Sequence, residues 1–323
     1  MVQPTVRVPA RPITGDGVIA LGASTDPALV GGKGASLGRL IAAGFRVPPG
    51  FVVTTAAFRE HLVSVAGAGS IAEALARLPD EAARASVAAA VASAPLSSSF
   101  HADIDAAIEN LVAEIDASGR STSFAVRSSA IGEDGTTESF AGLHETELGV
   151  VAADIGAALR RCWSSVWSRA AVAYRVRKGL PFDSAAMAVV VQALVPADAA
   201  VIVFTRHPVT GRTDQLVINA LRGLGEPMVS GTATPDMLVV DRATGATIEY
   251  VPGDSGERLV STAAGVERAI DTGSGPVLGA TELGELVALA GRVEAAFGAA
   301  VDIEAALSAG RWYLLQARPI TTG

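Results

Sequence analysis

Apolar positions change period along the chain, and each change marks an element. Leu37, Leu40 and Ile41 recur at helical spacing between Ala35 and Ala43 and run into Gly44, which predicts a short helix with a glycine cap. The preceding Gly31-Gly32-Lys33-Gly34 reads as a loop that aims Lys33 near the helix start. Pro48-Pro49-Gly50 turns into Phe51–Thr55, a strand by its β-branched content, and a helix begins near Ala56. Alanine-rich sequence with scattered charges from Ile71 to Ile115 predicts helices broken near Pro95. Ser123–Ser129 predicts a short strand, and the polar, glycine-rich run Gly132–Glu138 a mobile flap. Leu159, Trp163, Val166, Trp167 and Ala170 predict one long helix from Asp154 to Lys178 with both tryptophans in the core.

The second half is β-rich. Ala185–Phe204 is the most membrane-like stretch, but Gln192, Pro196 and Asp198 interrupt it, and a turn at Pro196-Ala197-Asp198 splits it into two buried strands. Gln215–Ala220 and Pro235–Asp241 are strand-like, and Thr281 is a plausible N-cap for a helix through Phe297 that Gly298 closes. The chain then forms a hairpin, Val301–Leu307 and Arg311–Pro319, about Ser308-Ala309-Gly310. With Leu307 and Arg311 paired across that turn, alternation sets Asp302 opposite Gln316 and Glu304 diagonal to it. It also puts Trp312, Leu314, Gln316 and Arg318 on one face. Carboxylate, amide oxygen and guanidinium then converge, as a metal-bound polyphosphate requires. A surface hairpin whose polar face meets water reads the same way from this segment alone.

Composition narrows the classes. At 323 residues, 50% hydrophobic and with 34 glycines, the chain can bury a large core and suits two intimately packed lobes of α/β type. A net charge of −8 lacks the basic footprint of a general nucleic-acid binder, so any polyphosphate is small and locally cradled. Cys162 is the sole cysteine, which leaves no internal disulfide or metal-thiolate cluster and suits a reducing cytoplasm. Met1–Pro9 lacks the apolar run of a signal peptide, so neither secretion nor a membrane span is expected.

Single motifs leave two readings each. Lys33 could hold phosphate, yet Gly34 follows it where a P-loop needs Ser or Thr, and a lysine among glycines also suits a plain turn. Arg127, at a strand end, could pair with Glu133 or Asp134 of the flap. Gly223-Leu224-Gly225-Glu226 is no dinucleotide fingerprint, because Met228 takes the third glycine position.

In order along the chain, however, these segments resemble one family from about residue 17 to 320. They are Val30–Gly38, Val47–Phe51, Ala125–Ala130, Glu138–Gly142, Val189–Gln192, Phe204-Thr205, Pro208–Gly211, Gly223–Glu226 and Leu315–Thr321. The series is similar to the nucleotide domain of phosphoenolpyruvate synthase, pyruvate phosphate dikinase and rifampin phosphotransferase. Pro208-Val209-Thr210-Gly211 and Gly223-Leu224-Gly225-Glu226 bring it nearest the rifampin phosphotransferase branch. The resemblance implies an α/β (α+β), two-lobed ATP-grasp fold with mixed or antiparallel sheets. Residues 1–185 would form the N-terminal lobe, with a helical insertion at about 56–118, and residues 186–323 the C-terminal lobe with the adenine and metal sites. Leu221 and Arg222 depart from the family's small polar and aromatic pair, and His207 stands where relatives often carry Asn.

The resemblance also implies roles. Lys33 and Arg127 would hold the phosphates of ATP, Gly142 and Thr146 would line the flap and phosphate side, and Gln192, Ala193 and Leu194 would meet the adenine edge. Glu304 and Gln316 would bind Mg2+, and Arg318 would bridge to the phosphates. Lys33, Arg127 and Arg318 would be the groups acting on the transferred phosphate, a task of positioning and charge neutralisation. Such enzymes pass the β-phosphate to a histidine on a swivelling domain, giving AMP and phosphate, and thence to a small-molecule acceptor. Neither the carrier domain nor the acceptor-binding domain lies in this chain, and His61, His101, His144 and His207 lack the small-hydroxyl neighbourhood of a carrier histidine. A free-standing ATP-grasp ligase or small-molecule kinase giving ADP is the alternative, and a non-catalytic nucleotide sensor a third.

Overall fold

The computed structural model describes residues 16–66, 70–116, 123–131, 146–182, 184–254, 256–262 and 265–320. The flap expected at Gly132–Glu138, together with Gly142 and His144, lies outside them.

The chain starts with β1 (Val18–Ala20), α1 (Pro27–Ala42) and β2 (Gly50–Val53). Four helices follow, α2 (Thr55–Ala66), α3 (Ser70–Ala76), α4 (Glu81–Ser93) and α5 (Ser98–Asp116), and then β3 (Phe124–Ala130) and β4 (Thr146–Val150). After α6 (Ile155–Ser164) and α7 (Arg169–Lys178) come the strands β5 (Met187–Ala193), β6 (Ala199–Phe204) and β7 (Gln215–Arg222). A short α8 (Glu226–Val229) leads to β8 (Asp236–Asp241), β9 (Thr247–Val251), β10 (Glu257–Thr262) and β11 (Gly265–Ile270). Helix α9 (Ala280–Phe297) and the hairpin β12 (Val301–Ser308) and β13 (Arg311–Pro319) close the fold.

The strands form two antiparallel sheets, β1-β2-β5-β3-β4 and β13-β12-β6-β7-β8-β9, with β10-β11 as a separate ribbon. This is the α+β architecture with antiparallel sheets that the resemblance implies. β5 is buried at every position because both its faces are covered. Met187, Val189 and Val191 face the helical layer with Trp163, Phe58 and Val87, while Ala188 and Val190 join α1, β6, β12 and α9 in a second core. The chain crosses from one sheet to the other over residues 194–198, where Asp198 N donates to Leu307 O at 2.8 Å.

Three local expectations need correction. Helix α1 starts at Pro27, capped by Asp26, whose Oδ1 accepts from Ala28 N at 2.9 Å; the glycine run is therefore a break inside a helix rather than a loop. Gly31 makes that break at φ 70°, and a Cβ there would sit 1.9 Å from Ser129 O. The expected cap at Gly44 is present, with Gly44 N donating to Ile41 O at 2.9 Å and Phe45 N to Leu40 O at 3.0 Å. The long helix over Asp154–Lys178 is two, since Ser168 leaves helical geometry and caps α7 by accepting from Ala171 N at 3.2 Å. Thr281 is not the N-cap of α9; Gly279 holds that position, and Gly298 closes the helix as expected.

The hairpin register also differs. Ala309 and Gly310, at φ 47° and 68°, form a two-residue turn between paired Ser308 and Arg311. A bulge then shifts the register, so that Ala305 pairs with Leu314 but Glu304 with Gln316 and Asp302 with Arg318, leaving Leu315 as the extra residue. Trp312 and Leu314 therefore face the core with Ala317, and Gln316 and Arg318 point to the other side.

Candidate functional site

Strand parity builds one cleft between the sheets. On β3 the even positions Phe124 and Val126 enter the helical core, which turns Ala125 and Arg127 toward the gap. Thr146 and Leu148 of β4 are register partners of Arg127 and Ala125 and share their face. On β5 the parity of Ala188 and Val190 carries Gln192 to the cleft, and on β12 the core positions Val301, Ile303 and Ala305 leave Asp302 and Glu304 on the other face. The bulge on β13 delivers Gln316 and Arg318 to that same side.

The cleft encloses about 240 Å3. Lys33, Arg127, Thr146, Gln192, Ala193, Leu194, Glu304, Gln316 and Arg318 all line it, so nine of the ten residues singled out in the sequence meet at one place, and Gly142 lies outside the described residues. Lys33 is buried near the point where α1 resumes after Gly31. Helix α1 is held there by Ser129, which donates to Val30 O at 2.8 Å and accepts from Gly34 N at 3.1 Å, and by Ser36, which donates to Ala317 O. That helix is thereby tied to strands of both sheets.

Two ion pairs organise the polar end. Arg127 Nη2 donates to Glu304 Oε2 at 2.9 Å and Gln316 Oε1 at 3.2 Å, and Nη1 donates to the carbonyl of the bulged Leu315 at 2.6 Å. Arg318 donates through Nε at 2.9 Å and Nη2 at 2.8 Å to Asp302 Oδ2, while Asp302 Oδ1 is buried with no hydrogen-bond partner among the described residues. Burial pushes the Asp302 carboxyl above the usual carboxylate range, against the downward pull of Arg318. Gln192 Nε2 donates to Pro48 O at 3.2 Å, fixing the strand entry that forms part of the wall.

The other end is apolar. Ala125, Leu194 and Leu224 pack with Leu148, Ala197, Leu259 and Val266, and Met228 and Val229 of α8 complete the lining. Gly223 lets this wall close, since a Cβ on it would sit 2.2 Å from Leu259 O, and Leu224 N donates to that oxygen at 2.9 Å. Leu148, Met228 and Val229 were not singled out in the sequence; apolar residues carry no spacing signature beyond strand and helix period. The departing Arg222 turns away and holds the 271–276 segment, donating to Gly275 O at 2.7 Å and Pro276 O at 3.1 Å. His61 is a core residue on Trp163, and exposed His101 pairs with Asp105. His207 Nδ1 caps its own turn by accepting from Val209 N and Thr210 N.

An enclosed gap with an apolar end and a cationic end suits an aromatic base joined to phosphates. Comparison with known proteins agrees. Residues 27–323 match the family described as pyruvate phosphate dikinase, AMP/ATP-binding domain. The chain is 38% identical over 312 residues to a rifampicin phosphotransferase from a Streptomyces species, covering 91% of this chain and 34% of that protein. It is 36% identical over 307 residues to a prodigiosin synthesizing transferase of Serratia marcescens, covering 92% and 32%. Against a probable phosphoenolpyruvate synthase of Archaeoglobus fulgidus the identity is also 36% over 307 residues, covering 92% and 40%. The chain thus spans a third to two fifths of the length of these curated relatives.

Proposed function

The chain belongs to the family of pyruvate phosphate dikinase AMP/ATP-binding domains, and from that premise we propose that its cleft presents Mg-ATP for a dikinase-type phosphotransfer. The observation that carries this reading is the convergence of Lys33, Arg127 and Arg318 from three separated segments on one cavity with an apolar far end. The adenine lies against Gln192, Ala193 and Leu194 between Leu148, Leu224 and Met228, and the phosphates extend toward the three cations. Thr146, paired with Arg127 across β3 and β4, borders the phosphate side. The two lobes run to about residue 185 and onward from 186, with β5 of the second segment completing the first lobe's sheet.

The residues present fit a magnesium ion. Glu304 Oε2 and Gln316 Oε1 both accept from one guanidinium nitrogen, so a single position within reach of two hard oxygens already suits a positive charge. Among the described residues no group of three His, Cys, Asp or Glu could hold a metal, so phosphate and water oxygens would complete the shell. When bound, the ion would neutralise charge on the phosphates.

In the reaction, water takes the γ-phosphoryl group as inorganic phosphate and a histidine on a separate swivelling domain or partner takes the β-phosphoryl group, leaving AMP. The phosphohistidine then passes its phosphoryl group to a small molecule held by an acceptor-binding domain, which regenerates the free histidine. Among the described residues no helix is long and apolar enough to cross a membrane. The lone buried thiol of Cys162 agrees with a reducing cytoplasm.

Incubation of the chain with Mg-ATP, with and without a histidine-carrier partner, tests the reading by resolving AMP from ADP. AMP formed only with the partner is expected; ADP formed with a small acceptor alone would replace this reading with that of a direct kinase or ligase. Glu304→Ala is expected to lose magnesium-dependent nucleotide binding, and unchanged affinity in the presence of metal would remove Glu304 from the ligand set.

A further inference from the structure

Both protein oxygens assigned above to magnesium are held by the same cation. Arg127 Nη2 bonds to Glu304 and Gln316, Nη1 bonds to the Leu315 carbonyl, and the arginine side chain is only 11% exposed. A metal bound to these groups while the guanidinium keeps them would put two cations against one carboxylate at close range, which charge repulsion opposes. A carboxylate stripped of that partner without replacement would be left part-buried and unpaired, an unfavourable state.

We propose that Arg127 is an exchange ion: in the empty cleft it stands in for the metal, and it releases Glu304 and Gln316 only when a phosphate offers it a new anion. Metal and nucleotide then bind cooperatively, and each binds weakly alone. The inference rests on the reading of Glu304 and Gln316 as the metal pair.

Three features support it. The exchange conserves charge pairing, since guanidinium passes from carboxylate to phosphate as the metal passes to the carboxylate. The backbone of Arg127 is pinned in β3 between β4 and β5, so the switch requires only rotation of a long side chain. A metal arriving alone would gain just two protein oxygens and strand the arginine, whereas one arriving with phosphates leaves no charge unpaired. Linkage makes the coupling reciprocal: the factor by which nucleotide raises metal affinity equals that by which metal raises nucleotide affinity.

The test uses Mn2+ as the probe, with the free ion followed by its electron paramagnetic resonance signal. The full chain, Arg127→Met, Arg127→Lys and Glu304→Gln are titrated with and without a non-hydrolysable ATP analogue. Wild type is expected to gain Mn2+ affinity when the analogue is present. Arg127→Met is expected to bind Mn2+ alone about tenfold more tightly than wild type, because the competing charge-assisted bonds are gone. It is also expected to lose most of the gain given by the analogue. An arginine that served only as a phosphate ligand would leave Mn2+ affinity alone unchanged, and that result would overturn the proposal. Arg127→Lys, which keeps the charge without the fork, is expected to move the same way by a smaller factor and decides the matter if the Met variant does not fold. If Glu304→Gln binds Mn2+ with the analogue as wild type does, the metal-pair reading itself falls. If it does not, and Arg127→Met leaves Mn2+ affinity alone unchanged, only the exchange fails.

Discussion

The two ion pairs of the cleft place their carboxylates in different surroundings. Glu304 keeps 27% of its side chain exposed, whereas Asp302 is nearly covered behind Arg318 with one oxygen unpartnered. Because burial raises the Asp302 pKa, its carboxyl holds a proton more tightly in the folded chain than in the unfolded one. Its contribution to stability is therefore full below the unfolded value, about 4, and is lost as pH rises from there through the raised folded value. Asp302→Asn removes that dependence while its amide oxygen can still accept from Arg318. Thermal midpoints measured across this window are expected to fall for wild type relative to the variant as pH rises; parallel profiles would show that Asp302 is not the group responsible. At this scale the cations were legible, because Lys33, Arg127 and Arg318 stand in an ordered series of motifs. The unpartnered Asp302 oxygen was not, since burial depends on what the fold lays over the residue.

At the scale of elements, helix α1 depends on the one residue that interrupts it. Gly31→Ala would add a Cβ 1.9 Å from Ser129 O at a positive φ, and would push α1 away from β3 along with Lys33. A loss of more than about 1 kcal/mol in denaturant unfolding is expected, together with weaker nucleotide binding; a variant as stable as wild type would show that the close approach is dispensable. Strands were readable where a short apolar, β-branched run is buried, as in β3, β7 and β8. The start of α1 was not, because four residues rich in glycine imitate a loop. The break at Ser168 was hidden because Trp163 and Trp167 before it and Ala171 and Tyr174 after it are all buried and stay in phase with one helix. β9 carries strand-forming Thr247, Ile248, Tyr250 and Val251, but every one of its residues is exposed, so no buried face marks it.

Over the whole molecule, the cleft joins two cores. One lies under the helices against β2, β3 and β5; the other runs from α1 through β6, β7 and β12 to α9. A ligand held by both walls stabilises only the folded chain. Its effect on unfolding is expected to grow by about 1.4 kcal/mol per tenfold rise in Mg-ATP above the dissociation constant. Calorimetric midpoints should rise accordingly in wild type and stay flat in Glu304→Ala; a rise that is the same without magnesium would contradict a metal held at Glu304 and Gln316. Such a joint site was legible in outline, since its motifs come from both halves, but the apolar wall of the cleft became visible only once the sheets were laid together.

The extra residue at Leu315 makes this site a matter of counting. Trp312, Leu314, Gln316 and Arg318 all carry even numbers, yet the first two look into the core and the last two into the cleft. A related chain could keep every one of those residues, pair the two strands without the bulge, and bury its amide and guanidinium in hydrocarbon while an alanine met the cleft. Its inventory of functional residues would look intact. What descendants of this chain must inherit is that slip of one place in the pairing, and a slip leaves no trace in any list of the residues themselves.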